Sequence, residues 1–331
     1  MKGFAYVNAT NEKEALAALV SDRGKALPIG GGQDLLALMK DYVLTPDSLV
    51  NVKGLPTTIA VPVGPAADFA VIGAAVRLAD LAGHAAVKKA FPALAHAAAE
   101  VGTPQIRNVG TVGGNLCQRP RCWYFRNEDF PCLKKGGARC FAVDGENQFH
   151  AIFGDAPCHI VHPSSLAVPL VAFGASIRVA GPSGQRDVSA GEFFVMPDRN
   201  MYGETVLAPN ELVTEVRVPI RPAARSAHYE VRFKQSHDWP IAFATVVLEM
   251  AGQTVRSARV VMGAVAPIPW RAEAAEQVLA GEVVTSALAE RAADAAVAGA
   301  KPMTGNAYKV QVARTAVKRA ILETAGLEQG A

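Results

Sequence analysis

Leu27-Pro28-Ile29-Gly30-Gly31-Gly32-Gln33-Asp34 sets three glycines between an apolar run and the helix-like DLLALMKD, and Gly110-Thr111-Val112-Gly113-Gly114-Asn115 repeats the device later in the chain. Glycine tolerates positive φ, lets the backbone approach a ligand closely and aims consecutive N–H groups into one concavity, which suits a phosphate. A helix opening near Asp34 adds the positive end of its dipole. In the second turn Thr111 and Asn115 bring a hydroxyl and an amide able to bond phosphate or ribityl oxygens. The first turn is not the nicotinamide-type G-x-G-x-x-G, because Leu35 replaces the third glycine and no acidic residue follows at the required distance. Each turn alone reads equally well as a bend that needs glycine. Together they suit a dinucleotide, whose pyrophosphate and polar linker are held from more than one side.

Working outward, FAYVN over 4–8 reads as a strand, and Asn11 followed by Glu14 starts a helix over about 11–21 with Leu16, Leu19 and Val20 on one face. KALPI and SLVNV supply two more strands, so residues 1–55 are expected to form a βαβ-type unit. A second unit, 56–210, opens with TTIAV and FAVIGA and passes into one alanine-rich helix, LADLAGHAAVKKAFPALAHAAAEV. After the second glycine turn, strands are expected at HIVHPSS, LAVPLVAFG and ASIRVAG. From residue 211, ELVTEVRVPI, HYEVRFKQ, IAFATVVLEMA and VRSARVVMGAV precede helical ALAERAADAAVAGA and TAVKRAILETAG. Strands first and helices after predict a separate C-terminal α+β unit, 211–331.

Composition narrows the classes. Half of the 331 residues are apolar and 19% are charged, a globular profile, and the net charge of +3 comes without the basic-aromatic stripe of a nucleic-acid groove. No run approaches the roughly 20 apolar residues that span a bilayer, and the start carries no secretory pattern, so the reading is a cytoplasmic protein, or one exported bound to a partner that carries the signal. All five cysteines lie between Cys117 and Cys158, an odd number for a disulfide framework and a crowding that needs a local reason. Zinc, free thiols and an iron-sulfur cluster are each compatible with the spacing; Arg119, Arg121, Lys134, Lys135 and Arg139 favour thiolate and offset the negative charge of a tetrathiolate cluster. His84, His96, His150 and His228 read as structural, and Trp123-Tyr124-Phe125 as packing around the loop.

GGGQD in the first turn and PQIRN followed by TVGGN in the second resemble the two FAD-binding motifs of the medium subunits of the xanthine dehydrogenase and carbon monoxide dehydrogenase family. IGAAVRLADL, Phe233-Lys234-Gln235 and VMGAVAPIPWRAEAAE fall in that family's order, so the likeness spans nearly the whole chain. The resemblance implies an α+β fold: a two-part FAD-binding domain of the vanillyl-alcohol-oxidase type, then a C-terminal domain with a small antiparallel sheet and helices. It implies FAD held by Leu27, Pro28, Ile29, Gly30, Gly31, Gly32, Gln33, Asp34, Leu35, Gly110, Thr111, Gly113, Gly114 and Asn115, with Lys234 near the flavin. Ser165 stands where the family usually has Asp, and offers a hydrogen bond without a charge. The cysteine stretch is similar to the inserted loop of the branch containing 4-hydroxybenzoyl-CoA reductase and bacterial aldehyde oxidoreductases, which implies a [4Fe-4S] cluster on Cys122, Cys132, Cys140 and Cys158, with Cys117 spare. The implied partners are a small subunit with two [2Fe-2S] clusters and a large molybdenum-cofactor subunit. A stand-alone FAD oxidoreductase is the rival, with His237-Asp238 beside Trp239 as the place to seek its substrate pocket.

Overall fold

The computed structural model describes residues 1–64 and 67–327; the end of the expected C-terminal unit, 328–331, lies outside them. The chain opens with β1 (Ala5–Asn8), α1 (Glu12–Ala18), β2 (Ala26–Ile29), α2 (Leu35–Lys40) and β3 (Ser48–Asn51). Asn11 caps α1 by accepting from the Glu14 backbone N–H at 3.0 Å, while Glu14 reaches back to the Thr10 N–H at 2.8 Å. The three strands form a parallel sheet in the order β1-β3-β2, which delivers the first glycine turn at the end of β2.

The middle of the chain holds β4 (Ile59–Ala60), β5 (Phe69–Gly73), α3 (Leu78–Gly83), α4 (Ala85–Ala90), α5 (Pro92–Glu100), α6 (Pro104–Val109), α7 (Val112–Leu116) and α8 (Trp123–Arg126). It continues with α9 (Ala167–Phe173), β6 (Ser176–Gly181), β7 (Gly184–Ser189), α10 (Ala190–Phe193) and β8 (Leu212–Pro219). The expected single alanine-rich helix is three helices. It breaks at Gly83-His84 and again at Phe91, because Pro92 cannot donate to a preceding turn and serves instead as the first residue of α5.

Two expected strands are not strands. HIVHPSS is irregular, and LAVPLVAFG is α9, closed by Gly174 in the left-handed region at φ +68. A short apolar run buried all round has no periodicity to separate helix from strand, and Pro169 sits in the first turn, where helices accept it.

The C-terminal part contains β9 (Ala224–Val231), β10 (Ala242–Ala251), β11 (Thr254–Gly263), β12 (Trp270–Arg271), α11 (Glu273–Leu279), α12 (Ser286–Val297) and α13 (Tyr308–Ala325). Its antiparallel sheet runs β12-β11-β10-β9. Both faces are covered, which explains the continuous apolar run of β10: Ala244, Val246 and Leu248 face the core under α11 to α13, while Phe243 and Val247 join the core built on α5 and α9. The middle sheet runs β4-β5-β8-β6-β7. β8, placed in the C-terminal unit by the expected boundary at 211, is hydrogen-bonded between β5 and β6. Its alternating pattern marks a strand but carries no information about which sheet it joins.

One packing detail is directly testable. A Cβ on Gly263 would stand 2.0 Å from the ring of Phe243 across the β10–β11 pair, so Gly263→Ala should cost about 1–3 kcal/mol by overpacking, read from the urea midpoint. An unchanged midpoint would show that the ring has room to swing aside.

Candidate functional site

The two glycine turns, far apart in sequence, touch in the fold. A Cβ on Gly31 would lie 2.2 Å from the Val109 carbonyl oxygen and one on Gly30 would lie 2.8 Å from Thr111 Oγ1, so neither position has room for a side chain. Gly32 adopts φ +70, a region that suits glycine. Thr111 caps α7 by accepting from the Gly114 N–H at 3.1 Å. Asn115 Oδ1 accepts from the Ser164 hydroxyl at 2.6 Å, which fixes the amide and leaves Ser165 as the serine that faces the cleft.

Between the turns lies a cleft of about 480 Å³, mostly apolar in its lining, with the scale of a cofactor site. Every residue expected to hold the cofactor in segments 27–35 and 110–115, together with Ser165, lines it; Lys234 does not. Lys234 is exposed on the loop after β9, and the part of that loop reaching the cleft is His237 to Pro240. The cation near the cleft comes instead from Arg119 and Arg121, which the sequence associates only with the cysteines. Their position between TVGGN and Cys122 was the available signal. Arg121 stacks on Trp239 with 4.7 Å from guanidinium to ring centre, and its buried Nε–H has no protein partner. Burial holds this guanidinium down, to about 10. A crowded glycine cradle and a buried, unpartnered guanidinium donor fit a diphosphate-bearing ligand.

The cysteine segment encloses a small cavity of its own. Cys122, Cys132, Cys140 and Cys158 line one small cavity together with Lys134 and His150, whereas Cys117 belongs to the cleft wall. Burial pushes the Cys122 thiol up, to about 11. His150 Nε2 is 3.3 Å from Cys122 Sγ, and burial with the nearby Lys309 charge holds its imidazole low, at about 4. Cys140 and Cys158 perturb each other, which holds the first thiol down and pushes the second up. Cys117 faces the open cleft yet is crowded by protein on its other sides; that crowding and the charge of Glu204 push its thiol up. Among the described residues, no group of three or more His, Cys, Asp or Glu is arranged to hold a metal ion.

A parallel-stranded entry unit and two abutting glycine turns walling a cleft that also holds Arg119 and Arg121 define an α+β protein suited to a phosphate-bearing ligand. Residues 2–221 match the model of the FAD binding domain in molybdopterin dehydrogenase, and residues 227–324 match the CO dehydrogenase flavoprotein C-terminal domain. The aldehyde oxidoreductase FAD-binding subunit PaoB of Escherichia coli (strain K12) is 33% identical over 98% of both chains. The carbon monoxide dehydrogenase medium chain of Hydrogenophaga pseudoflava is 30% identical over 96% of both. Among solved structures, carbon monoxide dehydrogenase from that organism superposes with a TM-score of 0.75 at 30% identity, covering 98% of this chain and 97% of the other. The chain belongs to the family of FAD-binding domains of molybdopterin dehydrogenases: it is an FAD-binding oxidoreductase subunit of the molybdenum hydroxylase type. No helix among the described residues is long and apolar enough to cross a membrane.

Proposed function

We propose that this chain is the FAD-bearing electron-transfer subunit of a molybdenum hydroxylase of aldehyde-oxidoreductase type, working with a small subunit that carries two [2Fe-2S] clusters and a large molybdenum-cofactor subunit in the cytoplasm, or exported bound to them. The observation that carries the reading is the cleft closed by the two glycine turns, with residues 27–35, 110–115 and Ser165 in its wall. When bound there, FAD supplies the exchange of single electrons for electron pairs. The protein's part is to hold the diphosphate on glycine N–H groups and to balance its charge with Arg119 and Arg121. Lys234 approaches the flavin only if its loop closes over the cleft.

The same proposal assigns a [4Fe-4S] cluster to Cys122, Cys132, Cys140 and Cys158. Its support is their convergence on one small cavity with the Lys134 side chain beside them, a cation that offsets the negative charge of a tetrathiolate cluster. The chain divides into a two-part FAD-binding domain, with its inner boundary near 55, and a C-terminal domain. We place the outer boundary after β8, near 221–226, because β8 completes the middle sheet.

Expressed alone and loaded with FAD, the chain should reduce artificial dyes but turn over no aldehyde or heterocycle, and tagged chain should co-purify with two partners. Aldehyde turnover by the isolated chain would instead establish the stand-alone oxidoreductase.

A further inference from the structure

We propose that Asp34, at the end of the first glycine turn, is a positioning residue that acts on the cysteine loop rather than on the flavin: it holds the Arg119–Arg121 segment, with its two arginines, in place in the wall of the cleft. The inference rests on reading the cleft as the FAD site.

Both oxygens of the Asp34 carboxylate are occupied by one short stretch of chain. Oδ2 accepts from the Arg119 backbone N–H at 2.8 Å. Oδ1 accepts from Arg126 Nη2 at 2.5 Å and forms an ion pair with Arg121 Nη1, 2.7 Å away. A bare carboxylate in a diphosphate cradle would repel its ligand; here two guanidinium groups neutralise it. Arg126 does more than pair with the charge. From the end of α8 it also donates to the Pro120 carbonyl at 2.7 Å and the Arg119 carbonyl at 3.0 Å, so a single guanidinium folds the Arg119–Arg121 segment and pins it to the glycine turn.

That fold sets what the cleft sees. Arg121 is aimed by Asp34, by Gln118 Oε1 at 3.0 Å and by the face of Trp239, with its buried Nε–H left over. Arg119 is steadied at its other end by the buried Glu204, 2.6 Å away, which also pairs at 2.8 Å with Lys134 between Cys132 and Cys140. Cys122 follows Arg121 directly and is the N-cap of α8. Order in the cysteine loop and affinity in the cleft are therefore linked, and each must promote the other to the same degree.

Arg126 provides the decisive test because it does not line the cleft. The probe is FAD titrated into deflavinated full-length chain, read by flavin fluorescence, together with the rate of tryptic cleavage after Arg121. Arg126→Met and Asp34→Asn should each weaken FAD binding at least about tenfold, equivalent to about 1.4 kcal/mol, and each should speed the cleavage. The double variant should be no weaker than the worse single one, because both remove the same clamp. Unchanged FAD affinity in folded Arg126→Met overturns the inference, as does an Asp34→Asn defect in affinity with no change in cleavage, which would make Asp34 a direct ligand. Failure of the wild-type chain to bind FAD would instead remove the reading of the cleft, and the inference with it.

Discussion

Gly31→Ala is expected to give a folded chain that purifies without flavin. The added methyl would meet the Val109 carbonyl at 2.2 Å and the Gly110 Cα at 2.9 Å, backbone atoms with no side-chain freedom to yield. Relief requires the two turns to separate, and the turns are the cradle. Overpacking of this kind costs about 1–3 kcal/mol, and if that strain is relieved by opening the cleft it weakens FAD by up to roughly 150-fold, at 1.4 kcal/mol per tenfold. Gly299→Ala is the matched control, since a Cβ there meets nothing within 4 Å. Equal flavin content in both variants would place the cofactor away from the contact between the turns.

Lys309→Met should destabilise the chain by about 3 kcal/mol, the scale of a charge-assisted hydrogen-bond set lost from a buried site. Lys309 is 1% exposed, and its ammonium donates to the carbonyls of Phe149 at 3.0 Å, His150 at 2.9 Å and Ala264 at 2.7 Å. Methionine keeps the length of the side chain but leaves those acceptors without a donor. Asn306 reinforces the grip by donating to the His150 and Ala151 carbonyls. α13 thus anchors the end of the cysteine loop to the C-terminal sheet, and on the proposed cluster assignment the same variant should hold less iron. A wild-type urea midpoint would mean that water satisfies the three carbonyls.

What the sequence made legible depended on whether the signal was local. The capping pair Asn11 and Glu14, the glycine turns and the alternation in β9 to β11 are each written in a few consecutive residues, and each is found where it was expected. The reading of four cysteines as cluster ligands came through resemblance, because spacing alone left zinc, free thiols and a cluster open; the structure shows only that the four line one small cavity. Features that depend on tertiary placement were hidden. Nothing near Leu212 reveals that β8 fits between β5 and β6, nor near Asp34 that its carboxylate faces arginines of the cysteine loop. Lys234 illustrates the converse: its order in the chain matches the family, while the loop places His237 to Pro240 in the cleft wall instead.

The most direct measurement is the absorption spectrum of the anaerobically purified chain with its flavin, iron and zinc content. About one FAD and four irons per chain are expected, with the iron lost and the flavin band retained when Cys132 or Cys140 is replaced by serine. Flavin with no iron, or zinc in its place, would contradict the cysteine assignment, and a chain without flavin would contradict the cleft.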